Sequence, residues 1–197
     1  MAFIQTTPPS DAEGTVRAMY EQVRGRYGFV PNWAQAFSLR PGVLDGWTAL
    51  LKSIQSNLPV RSYELATLAA ARAVRSSYCS LAHGNVLATK VFDAPTVTAI
   101  MKNDPASPLE ARERVMMAFA EKVAANADRI TAADIEDLRS HGYRDEEIFD
   151  LAAAAAARCF FSKLVDALGA EPDAAFNDLD PALRQALTVG RPVAERG

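Results

Sequence analysis

From Glu147 to Leu168 the chain is apolar almost all the way round a helical wheel, and the run AAAAAARCFF lies at its centre. A helix with no polar face cannot rest on a surface; other elements must cover it on most sides. Its alanines let those neighbours approach closely. A chain carrying such a segment is therefore expected to build a helical bundle around it. A second alanine-rich stretch, Glu64 to Ala73, has a similar make-up. Laid over each other from Glu64 and Glu147, both read Glu, three residues, Leu, then alanines. This resembles a faint internal repeat of one helical hairpin, which alanine bias alone could also produce. The first copy holds Cys79 and His83; the second has Ser162 and Asp166 in register.

The rest of the chain supplies the neighbours. Val16, Met19, Tyr20, Val23 and Tyr27 recur at three-to-four spacing, as do Val43, Trp47, Leu50, Leu51 and Ile54. Leu109, Met116, Phe119 and Val123 form a third set, and each pattern predicts one buried helical face. Ser10 with Glu13, and Ser107 with Glu110, fit the capping box, with Thr131 and Asp134 as a weaker version. Pro108 would then fall at the first helical position, where a missing N–H costs nothing. Turns are expected at Gly28 to Pro31, Arg40 to Gly42, Asn57 to Pro59, Asn103 to Pro108 and His141-Gly142. No run alternates with β-branched enrichment, so no strand is predicted. The expectation is an all-α bundle of about eight helices. At 197 residues it forms a single domain over 1–197, in which 171–197 is a C-terminal tail with a short helix near Leu183.

Composition narrows the function. A net charge of -3, with no basic run, gives no reason to expect nucleic acid or an anionic membrane as partner. The start, MAFIQTTPPSD, lacks a charged region followed by an apolar one, so no signal peptide is expected. No apolar stretch is long enough to span a bilayer. Two cysteines cannot form a disulfide framework, which points to a reducing compartment and a cytoplasmic protein. There is no zinc spacing, no phosphate loop and no dinucleotide fingerprint, so neither metal nor cofactor is expected.

The chemistry lies in SSYCSLAH, Ser76 to His83, which holds one of two cysteines and one of two histidines. At i and i+4 on a helix, Cys79 and His83 share a face. Ser76 or Ser77 is suited to cap that helix, placing Cys79 in its first turn, where the dipole favours a thiolate. His83 could then take the thiol proton, with Glu64 orienting the imidazole. On one straight helix Glu64 and Cys79 would stand roughly 22 Å apart, so they converge only if the chain turns near Arg75 to Ser77. The bland reading is that Cys79 is a small core residue, and Gly84 a packing contact. Spacing leaves both open.

The run Glu64-x11-Ser76-x-x-Cys79-x3-His83 resembles the motif of the AhpD-like alkylhydroperoxidases, within the carboxymuconolactone decarboxylase superfamily. That motif reads Glu, eleven residues, then Cys-x-x-Cys-x3-His, often with a tyrosine where Tyr78 stands. GFVPNWAQAFSLRPGVLDGW upstream and GYRDEEIFDLAAAAAARCFFSKLVDALGA downstream are similar to the peroxidase-related branch, so the likeness spans Ala12 to Ala170. It implies a helical homo-oligomer (dimer, trimer or hexamer) acting as a thiol-dependent peroxidase. In that scheme Cys79 attacks a small-molecule hydroperoxide, and His83 and Glu64 relay its proton. Ser76 replaces the first cysteine of the motif, so the usual internal disulfide cannot form. An external thiol reductant, or Cys159, would have to resolve the oxidised sulfur. Cys159 itself reads as core, and His141 as a helix C-terminal residue. Tyr78 and Trp33 are candidates to line a substrate pocket, together with Trp47, Phe160 and Phe161, though such aromatics are often simply core. The alternatives are a cofactor-free decarboxylase using Glu64 and His83, and a non-catalytic oligomer that binds a small apolar ligand.

Overall fold

The computed structural model describes residues 2–196, and among these there is no strand. Ten α-helices follow in order: α1 (Gly14–Tyr27), α2 (Asn32–Ala36), α3 (Pro41–Gln55), α4 (Val60–Ala73), α5 (Ser77–Lys90), α6 (Ala94–Met101), α7 (Ala111–Asn126), α8 (Ala132–Ser140), α9 (Asp145–Ala167) and α10 (Pro181–Leu187). Short 3-10 turns precede α1 and follow α2, α7 and α9. The expected all-α class is found, with ten helices rather than about eight. The excess lies in short pieces such as α2, whose five residues are too few to show a hydrophobic period.

Two helices carry the interior. In α4 every residue from Tyr63 to Ala71 is buried, and the helix packs against α5, α7 and α9. The long α9 lies against α3, α4 and α7. One apolar cluster joins α4 and α9 to α6, α7, α8 and α10 through Leu65, Leu68, Met116, Leu151 and Leu187. The other joins them to α1, α2 and α3 through Tyr20, Phe37, Trp47 and Phe161, and includes Cys79. Ala66 and Ala69 to Ala71 of α4, with Ala154, Ala155 and Ala157 of α9, are buried between the two cores. The expected burial of α9 on most sides holds only in part, because Phe149, Ala156 and Phe160 lie on an exposed face that no element covers among the described residues.

The helix starts differ from expectation in instructive ways. The Thr131–Asp134 box forms, with the Thr131 amide donating to Asp134 Oδ2 at 2.7 Å. At α7 the box sits three residues later than Ser107–Glu110: the Glu110 amide donates to Glu113 Oε2 at 3.0 Å. Arg61 also binds the Glu113 carboxylate, Nη2 to Oε2 at 2.8 Å, which fixes the helix start there. Near the N-terminus, Ser10 donates to Asp11 instead of capping, and α1 begins only at Gly14. The faint repeat does not extend to the fold. Its first copy is a hairpin of α4 and α5, whereas its second is the single unbroken α9.

The turn between α4 and α5 is the feature that places the site. Arg75 adopts φ 58°, a left-handed conformation unusual for a residue with a side chain. The Ser76 amide then donates back to the Ala71 carbonyl at 2.9 Å, closing the end of α4. The C-terminal segment packs onto this turn. The Gly190 amide donates to Ser77 Oγ at 2.7 Å, and a Cβ on Gly190 would run into the Arg75 carbonyl. Leu187 lies directly over Gly84, so the expected packing contact there is real. Among the described residues no helix is long and apolar enough to cross a membrane.

Candidate functional site

Because α5 folds back beside α4, Glu64 and His83 meet across the turn. His83 Nδ1 and Glu64 Oε2 are 2.6 Å apart, and both side chains are mostly buried. A carboxylate on Nδ1 makes that nitrogen the donor and leaves Nε2 as the basic position. Burial, and next the charge of Arg158, hold the imidazole below its ordinary range against the opposing pull of Glu64. The ring is therefore neutral at neutral pH. Tyr63, the neighbour of Glu64, stands edge-on to it with centroids 6.1 Å apart.

Cys79 lies in the first turn of α5 and is 2% exposed. Its sulfur accepts a hydrogen bond from Arg158 Nη1 on α9, at 3.6 Å. Among the described residues no hydrogen bond joins it to His83, so two pairs are present rather than a continuous chain. Arg158 bonds only the first of them and reaches His83 through its charge. Its Nη2 donates to the Tyr63 hydroxyl at 3.2 Å, while the rings of Trp47 and Phe161 face the guanidinium at 5.7 and 5.6 Å. Burial raises the Tyr63 phenol, which Arg158 only partly offsets, so the hydroxyl stays protonated.

Ser76 occupies the N-cap position of α5, yet its side chain makes no cap bond. The hydroxyl is wholly buried and without a hydrogen bond. It lies near enough to Asp166 to offset part of the burial that raises that carboxyl, without reaching hydrogen-bond geometry. Tyr78 and Trp33 come together: the Trp33 amide donates to the Tyr78 oxygen at 3.4 Å, and that hydroxyl donates to Asp173. Burial, then Asp173, push the Tyr78 phenol well up. Asp173 also accepts from the Asn32 amide at 2.8 Å, so Tyr78 ties the segment after α9 to α2. Trp33 packs edge-on against Tyr27, Phe37 and Phe161. Two cavities, of about 400 and 160 Å³, lie elsewhere. One is lined by residues such as Arg184 and Thr188, the other by Arg72 and Arg114 among others.

The other thiol and imidazole stand apart. Cys159 is half-buried with its sulfur 4.0 Å from the Ala124 carbonyl of α7, and burial pushes its thiol up. His141 follows the last residue of α8, with Nδ1 2.8 Å from the Asp137 carbonyl. Sequence reasoning missed Arg158 and Tyr63. Arg158 did leave a signal: it is the single charge between Asp150 and Lys163 on a helix with no polar face. No group of three or more His, Cys, Asp or Glu side chains is placed to hold a metal among the described residues.

By sequence, the chain matches no protein-family model and no curated protein. By structure it is similar to an alkylhydroperoxidase AhpD core, an uncharacterized peroxidase-related protein from Ralstonia eutropha JMP134. That likeness has a TM-score of 0.78 at 25% identity, over 89% of this chain and 94% of that one. A peroxidase-related protein from Silicibacter sp. TM1040 gives 0.73 at 24%, over 89% and 91%. The debrominase Bmp8, in a cysteine-to-alanine form bound to 2,3,4-tribromopyrrole, shares the fold with 0.71 at 18%, over 95% and 98%. The likeness to the AhpD core and to the peroxidase-related protein supports the resemblance of this chain to the AhpD-like superfamily.

Proposed function

We propose that the protein is a thiol-dependent hydroperoxidase in which Cys79 is the nucleophile. The observation that carries this reading is the bond between His83 and Glu64, one helical turn from Cys79 on α5. Glu64 holds Nδ1–H, so Nε2 of a neutral imidazole is free to take the thiol proton. The thiolate attacks one peroxide oxygen: an S–O bond forms, the O–O bond breaks, and the alkoxide leaves as an alcohol, protonated from solvent by way of His83. Sulfur is oxidised by two electrons to a sulfenic acid. With Ser76 in place of a second cysteine, an external thiol condenses with the sulfenic acid and releases water. A second external thiol frees Cys79 as the external disulfide departs. The net reaction reduces one hydroperoxide and oxidises two thiols.

Cys79 is buried, so the site must open for substrate, and Trp33 and Tyr78 are the aromatic side chains we assign to that entry. We also assign the exposed apolar residues Val43, Leu50, Phe149 and Phe160 to contact with further copies of the chain in a homo-oligomer. Cytoplasmic residence suits an enzyme that needs a reduced thiol pool.

The test is hydroperoxide consumption with an external dithiol, in wild type and in Cys79→Ala. Loss of turnover in the variant supports the reading; equal turnover overturns it. One observation favours a second reading. His83 is bonded to Glu64 and not to Cys79, as acid–base chemistry without a thiol would require. A cofactor-free decarboxylase would keep its activity after thiol alkylation and lose it in His83→Ala. The debrominase of the same fold adds brominated pyrroles to the substrates worth assaying.

A further inference from the structure

Arg158 is a charged side chain inside the site, 5% exposed, and among the described residues it forms no ion pair with a carboxylate. A cation removed from water this completely is costly unless an anion lies beside it. The groups within reach are few. Tyr63 accepts from Nη2 as a neutral phenol, and His83 is a neutral ring. Glu64 is engaged by His83. Trp47 and Phe161 offer ring faces, which attract a cation but do not neutralise it. The remaining acceptor is the Cys79 sulfur, 3.6 Å from Nη1.

We propose that Arg158 is a catalytic residue: its guanidinium is the counter-ion of a Cys79 thiolate in the resting protein. This extends the reading of Cys79 as the reacting sulfur. The thiol proton has already left by way of His83 before substrate arrives, and the sulfur enters the reaction as an anion. Arginine suits this place because it stays charged when buried and its planar fork spans the sulfur and the phenol together. Nε–H is buried without an acceptor, which leaves one donor for an oxygen of the incoming hydroperoxide. The site then needs no second cysteine to activate the first, in keeping with Ser76 at that position.

The experiment compares the ultraviolet thiolate absorbance of wild type, Cys79→Ser, Arg158→Lys and Arg158→Met at neutral pH, together with the rate at which iodoacetamide labels Cys79. The expected result is a thiolate band in the difference between wild type and Cys79→Ser. It should persist in Arg158→Lys and vanish in Arg158→Met, whose labelling slows by about tenfold or more. If Arg158→Met does not fold, the first difference spectrum still decides. Absence of a thiolate band in wild type, or its survival in a folded Arg158→Met, overturns the proposal. Unfolding adds a readout that packing alone would not give: Cys79→Ser should be less stable than Cys79→Ser with Arg158→Met, since removing one member of a buried pair strands the other. The reverse order counts against it. A thiolate without hydroperoxide turnover would leave the counter-ion standing and remove the hydroperoxidase reading. Turnover without a thiolate would do the opposite.

Discussion

Glu64 and His83 are nineteen residues apart in sequence and 2.6 Å apart in the fold. The turn at Arg75 is what separates these two descriptions, because it sends α5 back along α4. A carboxylate on Nδ1 fixes which imidazole nitrogen carries the proton, and the function proposed for Cys79 depends on that assignment.

Glu64→Gln removes the charge while keeping the shape. The amide can still accept from Nδ1, but it no longer stabilises an imidazolium. Turnover of hydroperoxide should fall by about tenfold or more, and His83→Ala should cost about a hundredfold. Steady-state rates with saturating external thiol check both, alongside circular dichroism to confirm the fold.

The His83 ring also predicts how stability follows pH. Its folded value is lowered from an ordinary 6.5, mainly by burial and then by Arg158. Below that ordinary value the unfolded chain binds a proton that the folded chain resists. The stabilisation is therefore complete above pH 6.5 and is lost as pH falls through it toward the folded value. Asp166 and Asp173, both raised by burial, act in the opposite sense but are common to wild type and variant. Urea unfolding should show wild type losing stability relative to His83→Gln as the solution is acidified. A constant difference would contradict the assignment.

The C-terminal segment meets the turn between α4 and α5 at a contact only glycine allows. In Gly190→Ala the new methyl would meet the Arg75 carbonyl, a backbone atom already fixed by the turn. Such overpacking costs about 1–3 kcal/mol. Gly25, inside α1, has open space where its Cβ would stand. Gly25→Ala should therefore stabilise by about 0.5–1 kcal/mol. Denaturant midpoints compare the two, and Gly190→Ala should also slow hydroperoxide turnover by disturbing the start of α5.

Ser76 is buried with no hydrogen bond, so a thiol is tolerated in its place. Ser76→Cys restores the two-cysteine motif. After equimolar hydroperoxide, intact mass should show the loss of two hydrogens, as the introduced thiol attacks the Cys79 sulfenic acid and releases water. The wild-type chain should gain one oxygen instead.

Much of this was legible in the sequence, and for definite reasons. Glu64 could come near Cys79 and His83 only if the chain turned near Arg75 to Ser77, and a turn is found there. The buried face of α1 through Met19, Tyr20 and Val23 followed from its periodicity, although Tyr27 of the same set is exposed. Val43 and Leu50 were read as part of a buried face of α3, yet both are exposed, because the packed side of that helix runs through Leu44, Trp47 and Ile54. Helix starts were misplaced where a distant group decided them, as Arg61 does for Glu113. Arg158 could be seen as an oddity but not placed, since its partner lies 79 residues away. The clamp of Gly190 on Ser77 spans 113 residues, and no local pattern announces it.

The most direct measurement is chemical trapping of sulfenic acid with dimedone after equimolar organic hydroperoxide, read peptide by peptide by mass spectrometry. The label should appear on Cys79 and not on Cys159, and should be absent from Cys79 when His83 is replaced by alanine. No label on Cys79 in the wild-type chain, or equal labelling of both cysteines, would contradict the account.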